Sequence, residues 1–207
     1  RGVPALVIYN DKVNYHELYT GSGMVDVTAE EMDAFFRDGR LMMNGRGPAR
    51  PHEFFVLKNH AASSRSALAR HFRGELRSLV HGESANQGIK ARNKEQRFAL
   101  EILLNDQIRV ATLVGRAGTG KTLLAIAVGL EKVMEQKNYS RLLITRPVIP
   151  LGNDLGFLPG SKEEKLRPWM QPIYDNLDYL MHTEKRDAQS VRRQIEDLKR
   201  NHKLELE

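Results

Sequence analysis

The chain has 207 residues, 41% of them hydrophobic and 28% charged, which suffices for one full domain or two small ones with a buried core. It has no cysteine, which excludes disulfides and thiolate metal sites, and no apolar run approaches the roughly 20 residues of a membrane span. We therefore expect a globular protein of the cytoplasm that does not enter a membrane.

The net charge of +6 is unevenly distributed. Residues 40–100 contain twelve basic and four acidic side chains, whereas residues 1–39 contain three basic and seven acidic ones. A basic segment of this kind suits a polyanion such as nucleic acid. A solvated basic face without a partner explains the same composition equally well.

Residues 1–85 predict a small β-rich module. Apolar or alternating runs predict strands near residues 5–9, 24–27, 53–58, 67–72 and 76–80. Thr28 and Glu31 have the spacing of a capping box, and they open a helix with Met32, Phe35 and Phe36 on one side. The polar, small residues at positions 81–88 mark the boundary with a second domain, residues 86–207.

The second domain predicts an α/β fold with a parallel sheet. Helical spacing covers residues 93–105 and 121–134, strand patterns cover residues 107–114 and 141–145, and residues 171–199 read as a helical tail. Strand, helix and strand in this order form a βαβ unit. Glycines and prolines between residues 146 and 169 predict a long loop of fixed shape.

A phosphate-binding loop (P-loop) lies between the first of these strands and the helix that follows it. The eight residues that match G-x-x-x-x-G-K-[ST] at every fixed position are Gly115, Arg116, Ala117, Gly118, Thr119, Gly120, Lys121 and Thr122. Glycines let backbone N–H groups turn towards phosphate oxygens, and the helix that Leu123 continues adds the positive end of its dipole. Lys121 then neutralises phosphate charge and the Thr122 hydroxyl ligates Mg²⁺. The pattern predicts a site for a nucleoside triphosphate with magnesium.

Other candidate residues flank this loop. Gln96, near the start of the preceding helix, has an amide that could read an adenine edge, although the pattern alone suits a solvent-exposed helix residue better. Arg146 follows the second strand, at the sheet end where ligands bind in open α/β sheets, and could hold a nucleic-acid or nucleotide phosphate. An ordinary surface arginine before a proline is an equally good interpretation. Trp169 could stack on a base, but packing of the loop explains it better.

The hydrolytic half of an ATPase site is missing from the pattern. Hydrolysis normally requires a carboxylate at the end of a later apolar strand, and no run of four apolar residues ending in Asp or Glu follows Gly120. Residues 6–11 resemble such a run superficially, but they precede the P-loop. The seven histidines lack metal-ligand spacing.

Taken together, these motifs resemble the PhoH-like P-loop ATPases. The shared features are residues 93–96, the P-loop, Thr145-Arg146-Pro147, Gly152, the Gly-Phe-Leu-Pro-Gly stretch at 156–160, Lys165 and Pro168. The match is strongest over residues 88–180, and residues before 88 resemble the connecting module of members fused to an amino-terminal PIN ribonuclease domain. Against that type, this sequence looks like a fragment without the PIN domain and without the distal ATPase motifs.

The resemblance implies a RecA-like core similar to that of superfamily 1 helicases. It implies that Gln96, with Asn93 beside it, contacts adenine, and that the Arg146 loop touches single-stranded nucleic acid. It further implies ATP hydrolysis coupled to RNA unwinding or remodelling in the intact protein, with ATP and Mg²⁺ as ligands, RNA as partner and a homo-oligomer, typically a hexameric ring. A nucleotide-gated RNA-binding module without turnover is the alternative. A small-molecule kinase is a third possibility, against which the basic segment argues.

Overall fold

The computed structural model describes residues 19–59, 65–81, 84–85, 89–147, 162–182 and 188–207. Two compact units divide the chain, and the division falls between Leu79 and Val80. Each unit has its own buried apolar cluster. Across the described ranges, none of the helices is both long enough and apolar enough to cross a membrane.

The first unit is a five-stranded sheet with one helix. Its strands are β1 (Ser22–Asp26), β2 (Arg40–Met42), β3 (Phe54–Lys58), β4 (Ser66–Phe72) and β5 (Glu75–Ser78), and its helix is α1 (Ala29–Asp38). The strand order in the sheet is β1-β3-β4-β5-β2, with β1 parallel to β3 and all other pairs antiparallel. The strands predicted near residues 24–27, 53–58, 67–72 and 76–80 are confirmed, whereas residues 5–9 lie outside the described ranges.

Helix α1 begins where the capping box predicts. The Thr28 hydroxyl accepts from the Glu31 N–H at 3.2 Å, and a Glu31 carboxylate oxygen accepts from the Thr28 N–H at 3.0 Å. The helix ends at Gly39, whose φ of 68° is left-handed, a conformation that costs a glycine little. Met32 and Phe35 are buried against the sheet, but Phe36 is 55% exposed, so the prediction that it shares their face is wrong.

The two faces of this sheet differ in character. Because cross-strand partners share a face, Val25, Leu57 and Ala67 lie on one side together with Ala69 and Leu76, and this is the side that α1 covers. The opposite face carries a cross-strand row that runs through Phe54, Arg70, Arg77 and Arg40 on β3, β4, β5 and β2.

The second unit combines helices with short strand pairs. Its elements are β6 (Ser84–Ala85), β7 (Ile89–Lys90), α2 (Lys94–Leu104), α3 (Lys121–Leu130), a π-helical turn (Glu131–Glu135), β8 (Leu142–Ile144), α4 (Lys162–Met181), α5 (Ala188–Arg200) and β9 (Leu204–Leu206). Strand β6 is antiparallel to β7, and β8 is parallel to β9. The helices α2, α3, α4 and α5 bury one core, centred on Leu100, Ala127, Leu177 and Val191. The described fold is therefore mixed α/β.

The predicted strand at residues 107–114 is wrong for this structure. Residues 108–116 have no regular secondary structure, and Val110 and Val114 are 84% and 76% exposed. A strand requires a hydrogen-bonded neighbour, and within the described residues none pairs with this segment. The predicted βαβ unit thus contributes its helix α3 and its second strand β8, but not its first strand.

The tail also differs from the prediction. The loop expected to continue through Lys165, Pro168 and Trp169 is helical there, because α4 already begins at Lys162. The tail predicted over residues 171–199 is helical but divided between α4 and α5. Gly152 and the stretch 156–160 lie outside the described residues.

Candidate nucleotide-binding site

The P-loop is an exposed turn that leads directly into α3. Gly118 and Gly120 have φ values of 76° and 86°, in the left-handed region that other residues avoid. Gly120 is the N-cap of α3, and no side chain caps the helix there. A helix that begins without a side-chain cap leaves its first N–H groups and its positive dipole end to another partner. The local backbone therefore has the form of an anion-binding helix start.

The Lys121 ammonium lies inside the curve of this loop. Its Nζ donates to the carbonyl oxygens of Gly115 and Arg116 at 2.8 and 2.6 Å, and lies 3.3 Å from the Thr119 hydroxyl oxygen. The Thr119 hydroxyl donates to the Arg116 carbonyl at 2.9 Å, which closes the loop on itself. Among the described residues no carboxylate forms an ion pair with Lys121. The Lys121 ammonium group thus points into the loop, where its partners are oxygen atoms of neutral groups.

The remaining loop residues differ in their exposure. Arg116, Ala117 and Thr119 are exposed, and Thr122 is exposed on the first turn of α3. Leu123 is half-buried and packs against the core of the second unit, which anchors the start of the helix. The predicted P-loop residues thus lie together in one exposed turn at the start of α3.

Gln96 is joined to the loop, although 23 residues separate it from Thr119. Its Nε2 donates to the Thr119 carbonyl at 3.2 Å, and its Oε1 accepts from the Arg92 N–H at 2.8 Å. Asn93 is the N-cap of α2 and accepts from the Gln96 N–H at 2.8 Å. Of the two predicted adenine-contacting residues, Gln96 contacts the loop and connects α2 to it, whereas Asn93 contacts Gln96. Sequence spacing contained no signal for this contact.

Arg146 lies just beyond β8. Its backbone N–H donates to the Glu207 carbonyl at 2.9 Å, which extends the β8–β9 pairing by one residue. Its guanidinium Nη1 donates to the Trp169 carbonyl on α4 at 2.8 Å. Arg146 thus connects β8 to α4, and its predicted contact with nucleic acid stays a prediction.

The far end of α3 is held by an ion pair that the sequence analysis did not identify. Lys132 Nζ, in the π-helical turn, donates to Asp106 Oδ1 at 2.7 Å, and Asn138 Nδ2 donates to Asp106 Oδ2 at 3.0 Å. The hydrogen bond from Lys132 is the main reason that the pKa of Asp106 lies below its ordinary value. This pair joins the turn before the P-loop segment to the end of the P-loop helix.

The described residues also bear on the needs of a metal ion. The described ranges contain no group of three or more His, Asp or Glu side chains that could hold an ion. Among the loop residues, the Thr122 hydroxyl could ligate a divalent ion together with nucleotide phosphates, the usual arrangement for Mg²⁺.

Comparison with known proteins identifies the family of this chain. The family model described as PhoH-like protein matches residues 88–202. The chain is 38% identical over 189 residues to the protein PhoH2 of Bacillus subtilis, which covers 89% of this chain and 43% of that protein. It is 36% identical over 163 residues to PhoH2 of Mycolicibacterium smegmatis (78% and 37%) and 42% identical over 89 residues to PhoH of Escherichia coli (43% and 24%). No solved structure matches the chain.

The matched PhoH2 relatives are longer than this chain. The chain spans about two fifths of the length of the PhoH2 proteins that it matches. The P-loop falls within the family match, so the site described above lies in the part of the chain that is similar to these proteins. The chain belongs to the PhoH-like protein family.

Proposed function

We propose that this chain binds ATP with Mg²⁺ at the P-loop and that the intact protein hydrolyses ATP to unwind or remodel RNA. The observation that carries the nucleotide site is the position of the Lys121 ammonium, which the Gly115 and Arg116 carbonyls hold inside the loop. None of the described carboxylates pairs with Lys121, and the polyphosphate of a nucleotide is a natural counter-charge for this lysine.

The chemistry at the loop follows from these parts. The uncapped start of α3 offers backbone N–H groups and the positive end of its dipole to the phosphate oxygens. Lys121 exchanges neutral carbonyl partners for charged phosphate oxygens, a change to stronger hydrogen bonds. The Thr122 hydroxyl, exposed on the first helical turn, is placed to ligate Mg²⁺, which would supply charge neutralisation at the phosphates.

Recognition of the base and of RNA is assigned to residues around the loop. Gln96 and Asn93 lie beside the P-loop, and we assign the adenine contact to them. Arg146 is the proposed RNA or phosphate contact at the end of β8. RecA-like architecture and ring assembly, like RNA unwinding, are proposals for the intact protein, since this chain spans only part of its relatives.

The nucleotide site is tested by Lys121→Ala, measured by titration of a fluorescent ATP analogue in the presence of Mg²⁺. We expect at least a roughly tenfold loss of affinity, because a charge-assisted contact to phosphate contributes about 1.5–3 kcal/mol. Lys203→Ala is the matched control, since it removes the same charge from an exposed site of the same unit. Wild-type affinity in the Lys121→Ala variant would refute the assignment.

Turnover is tested separately from binding. Steady-state phosphate release by the intact polypeptide, with and without single-stranded RNA, distinguishes an ATPase that acts on RNA from a nucleotide-gated RNA-binding module. Phosphate release that RNA stimulates and that Lys121→Ala abolishes supports the ATPase. RNA affinity that depends on bound ATP, without phosphate release, supports the gated module instead.

A further inference from the structure

An asparagine followed by a glycine lies in the turn after β2. Asn44 and Gly45 are the central residues of this turn, which the Arg46 N–H closes by donating to the Met43 carbonyl at 3.0 Å. Both central residues are exposed. Gly45 has a φ of 71°, and a Cβ added to it would meet nothing within 4 Å. The space beside this dipeptide is therefore open to water.

The side-chain amide of Asn44 is not held by the fold. Among the described residues, no hydrogen bond involves this amide or the Gly45 N–H. Other asparagines differ, because their side chains form hydrogen bonds; these are Asn93, Asn105, Asn138 and Asn176. Asn201 is exposed like Asn44, but His202 follows it instead of a glycine. Asn44 thus combines an exposed, unrestrained amide with a glycine as its next residue.

This combination suits attack of the backbone on the side chain. The Gly45 nitrogen attacks Cγ of Asn44, and the new C–N bond closes a succinimide ring. The amide nitrogen leaves as ammonia, which carries the proton that the Gly45 nitrogen loses. Water then opens the ring at one of its two carbonyl groups and gives aspartate or isoaspartate. Glycine favours the reaction because it has no Cβ to crowd the attacking nitrogen.

The residue after this dipeptide connects two elements of the first unit. The Arg46 guanidinium forms an ion pair with Glu31 and donates to the Met42 carbonyl at 3.0 Å. Glu31 also accepts from the Thr28 N–H in the capping box of α1. Arg46 therefore joins the edge strand β2 to the first turn of α1. We call its contacts with Glu31 and Met42 the Arg46 clamp.

Deamidation of Asn44 would disturb this clamp in two ways. In isoaspartate the main chain runs through the former side chain, which lengthens the backbone between Met43 and Arg46 by one atom. The reaction also creates a carboxylate in the groove that Asn44 lines together with Glu31 and Arg46. This carboxylate would compete with Glu31 for the guanidinium group.

From these observations we infer that Asn44 is a site of spontaneous deamidation, at which conversion to isoaspartate or aspartate releases the Arg46 clamp. The reaction needs only water besides the chain itself. The modified residue lies in the first unit, so the inference is independent of the nucleotide site proposed in the second unit.

The site is tested by incubating the full chain at mildly alkaline pH and mapping its peptides by mass spectrometry at successive times. Asn201 is the internal control. We expect Asn44 to be converted at least about tenfold faster than Asn201, which corresponds to a barrier lower by about 1.4 kcal/mol. Methylation by a protein isoaspartyl methyltransferase should identify isoaspartate at the same residue. An unconverted Asn44, or equal rates at the two asparagines, would overturn the assignment.

Release of the clamp is tested by thermal melts of fresh and incubated protein. We expect the converted wild type to melt about 3–6 °C lower than the fresh protein. Asn44→Gln should keep its melting temperature on incubation, because its longer side chain closes a ring more slowly. Arg46→Gln already lacks the clamp, so incubation should lower its melting temperature by less than that of wild type. An unchanged melting temperature of the converted wild type, or an equal decrease in Arg46→Gln, would refute the release of the clamp.

Discussion

Gln96 links helix α2 to the P-loop, and replacing it tests whether this link positions the loop. In Gln96→Ala two hydrogen bonds are lost, from Nε2 to the Thr119 carbonyl at 3.2 Å and from the Arg92 N–H to Oε1 at 2.8 Å. An exposed neutral hydrogen bond contributes about 0.5–1 kcal/mol, so we expect the free energy of unfolding to fall by about 1–2 kcal/mol. For a unit of this size that corresponds to a decrease of about 3–6 °C in melting temperature.

Nucleotide affinity should change with the same bond. About half of the loss in unfolding free energy comes from the hydrogen bond to the Thr119 carbonyl of the loop. The same amount of binding free energy corresponds to about two- to fivefold weaker binding of any nucleoside triphosphate. Gln96→Glu is the sharper variant, because a carboxylate still accepts from the Arg92 N–H but cannot donate to the Thr119 carbonyl. We expect it to keep most of the stability and to lose at least as much nucleotide affinity, because its carboxylate also repels the phosphates.

Titrations with fluorescent ATP and GTP analogues, together with thermal melts, measure both effects. Wild-type GTP affinity in Gln96→Glu would refute the positioning role. The ratio of ATP to GTP affinity is an independent readout, since loss of an adenine contact lowers ATP affinity alone.

Three further predictions concern stability. Glu101 is fully buried in α2 and accepts hydrogen bonds from two backbone N–H groups at the start of the second unit. Glu101→Leu should therefore lower the free energy of unfolding by about 2–4 kcal/mol in urea titrations, and the exposed control Glu95→Leu by about 0.5 kcal/mol or less. Equal losses in the two variants would contradict this prediction. The lowered pKa of Asp106 means that its charged form stabilises the folded state. This contribution is complete above the pKa of about 4 in the unfolded chain and is lost as pH falls through the lower pKa of the folded state. Between pH 5 and 3 the urea midpoint of Asp106→Asn should therefore change less than that of wild type, and parallel pH dependences of the two midpoints would contradict this prediction. Gly118→Ala should cost about 1–2 kcal/mol from its φ of 76° alone, and Gly120→Ala should cost more because its added Cβ would lie 3.1 Å from the Gln96 amide; the reverse order in thermal melts would contradict the geometry.

Local signals in the sequence predicted local structure well. The capping box at Thr28 located the start of α1 because both hydrogen bonds join residues three positions apart. The glycines of the P-loop were found for the same reason, since a left-handed backbone conformation is a property of single positions. The family that these motifs indicated is the family to which the chain belongs.

Features that depend on distant partners could not be predicted in this way. Residues 107–114 have strand-forming side chains, but whether they form a strand depends on a neighbour that no local pattern reveals. Pro168 contributed to the prediction of a loop, yet it lies within α4. At the site, the Gln96–Thr119 contact joins residues 23 positions apart in the sequence, and the Lys132–Asp106 pair joins residues 26 positions apart. Neither contact produces a periodic pattern in the sequence.

The helix after the P-loop is held at both ends and along its length. Gln96 holds the loop at its start, the Lys132–Asp106 pair holds its last turn, and between them Gly129 lies so close to β8 that an added Cβ would be 2.7 Å from Leu142. These contacts oppose movement of α3 along its axis when phosphate binds or dissociates. We therefore expect the response to nucleotide to be confined to the peptide planes around Gly118 and Gly120 and to rotation of the Lys121 side chain. Nucleotide binding would then change the hydrogen-bond partners of Lys121 without displacing the helix.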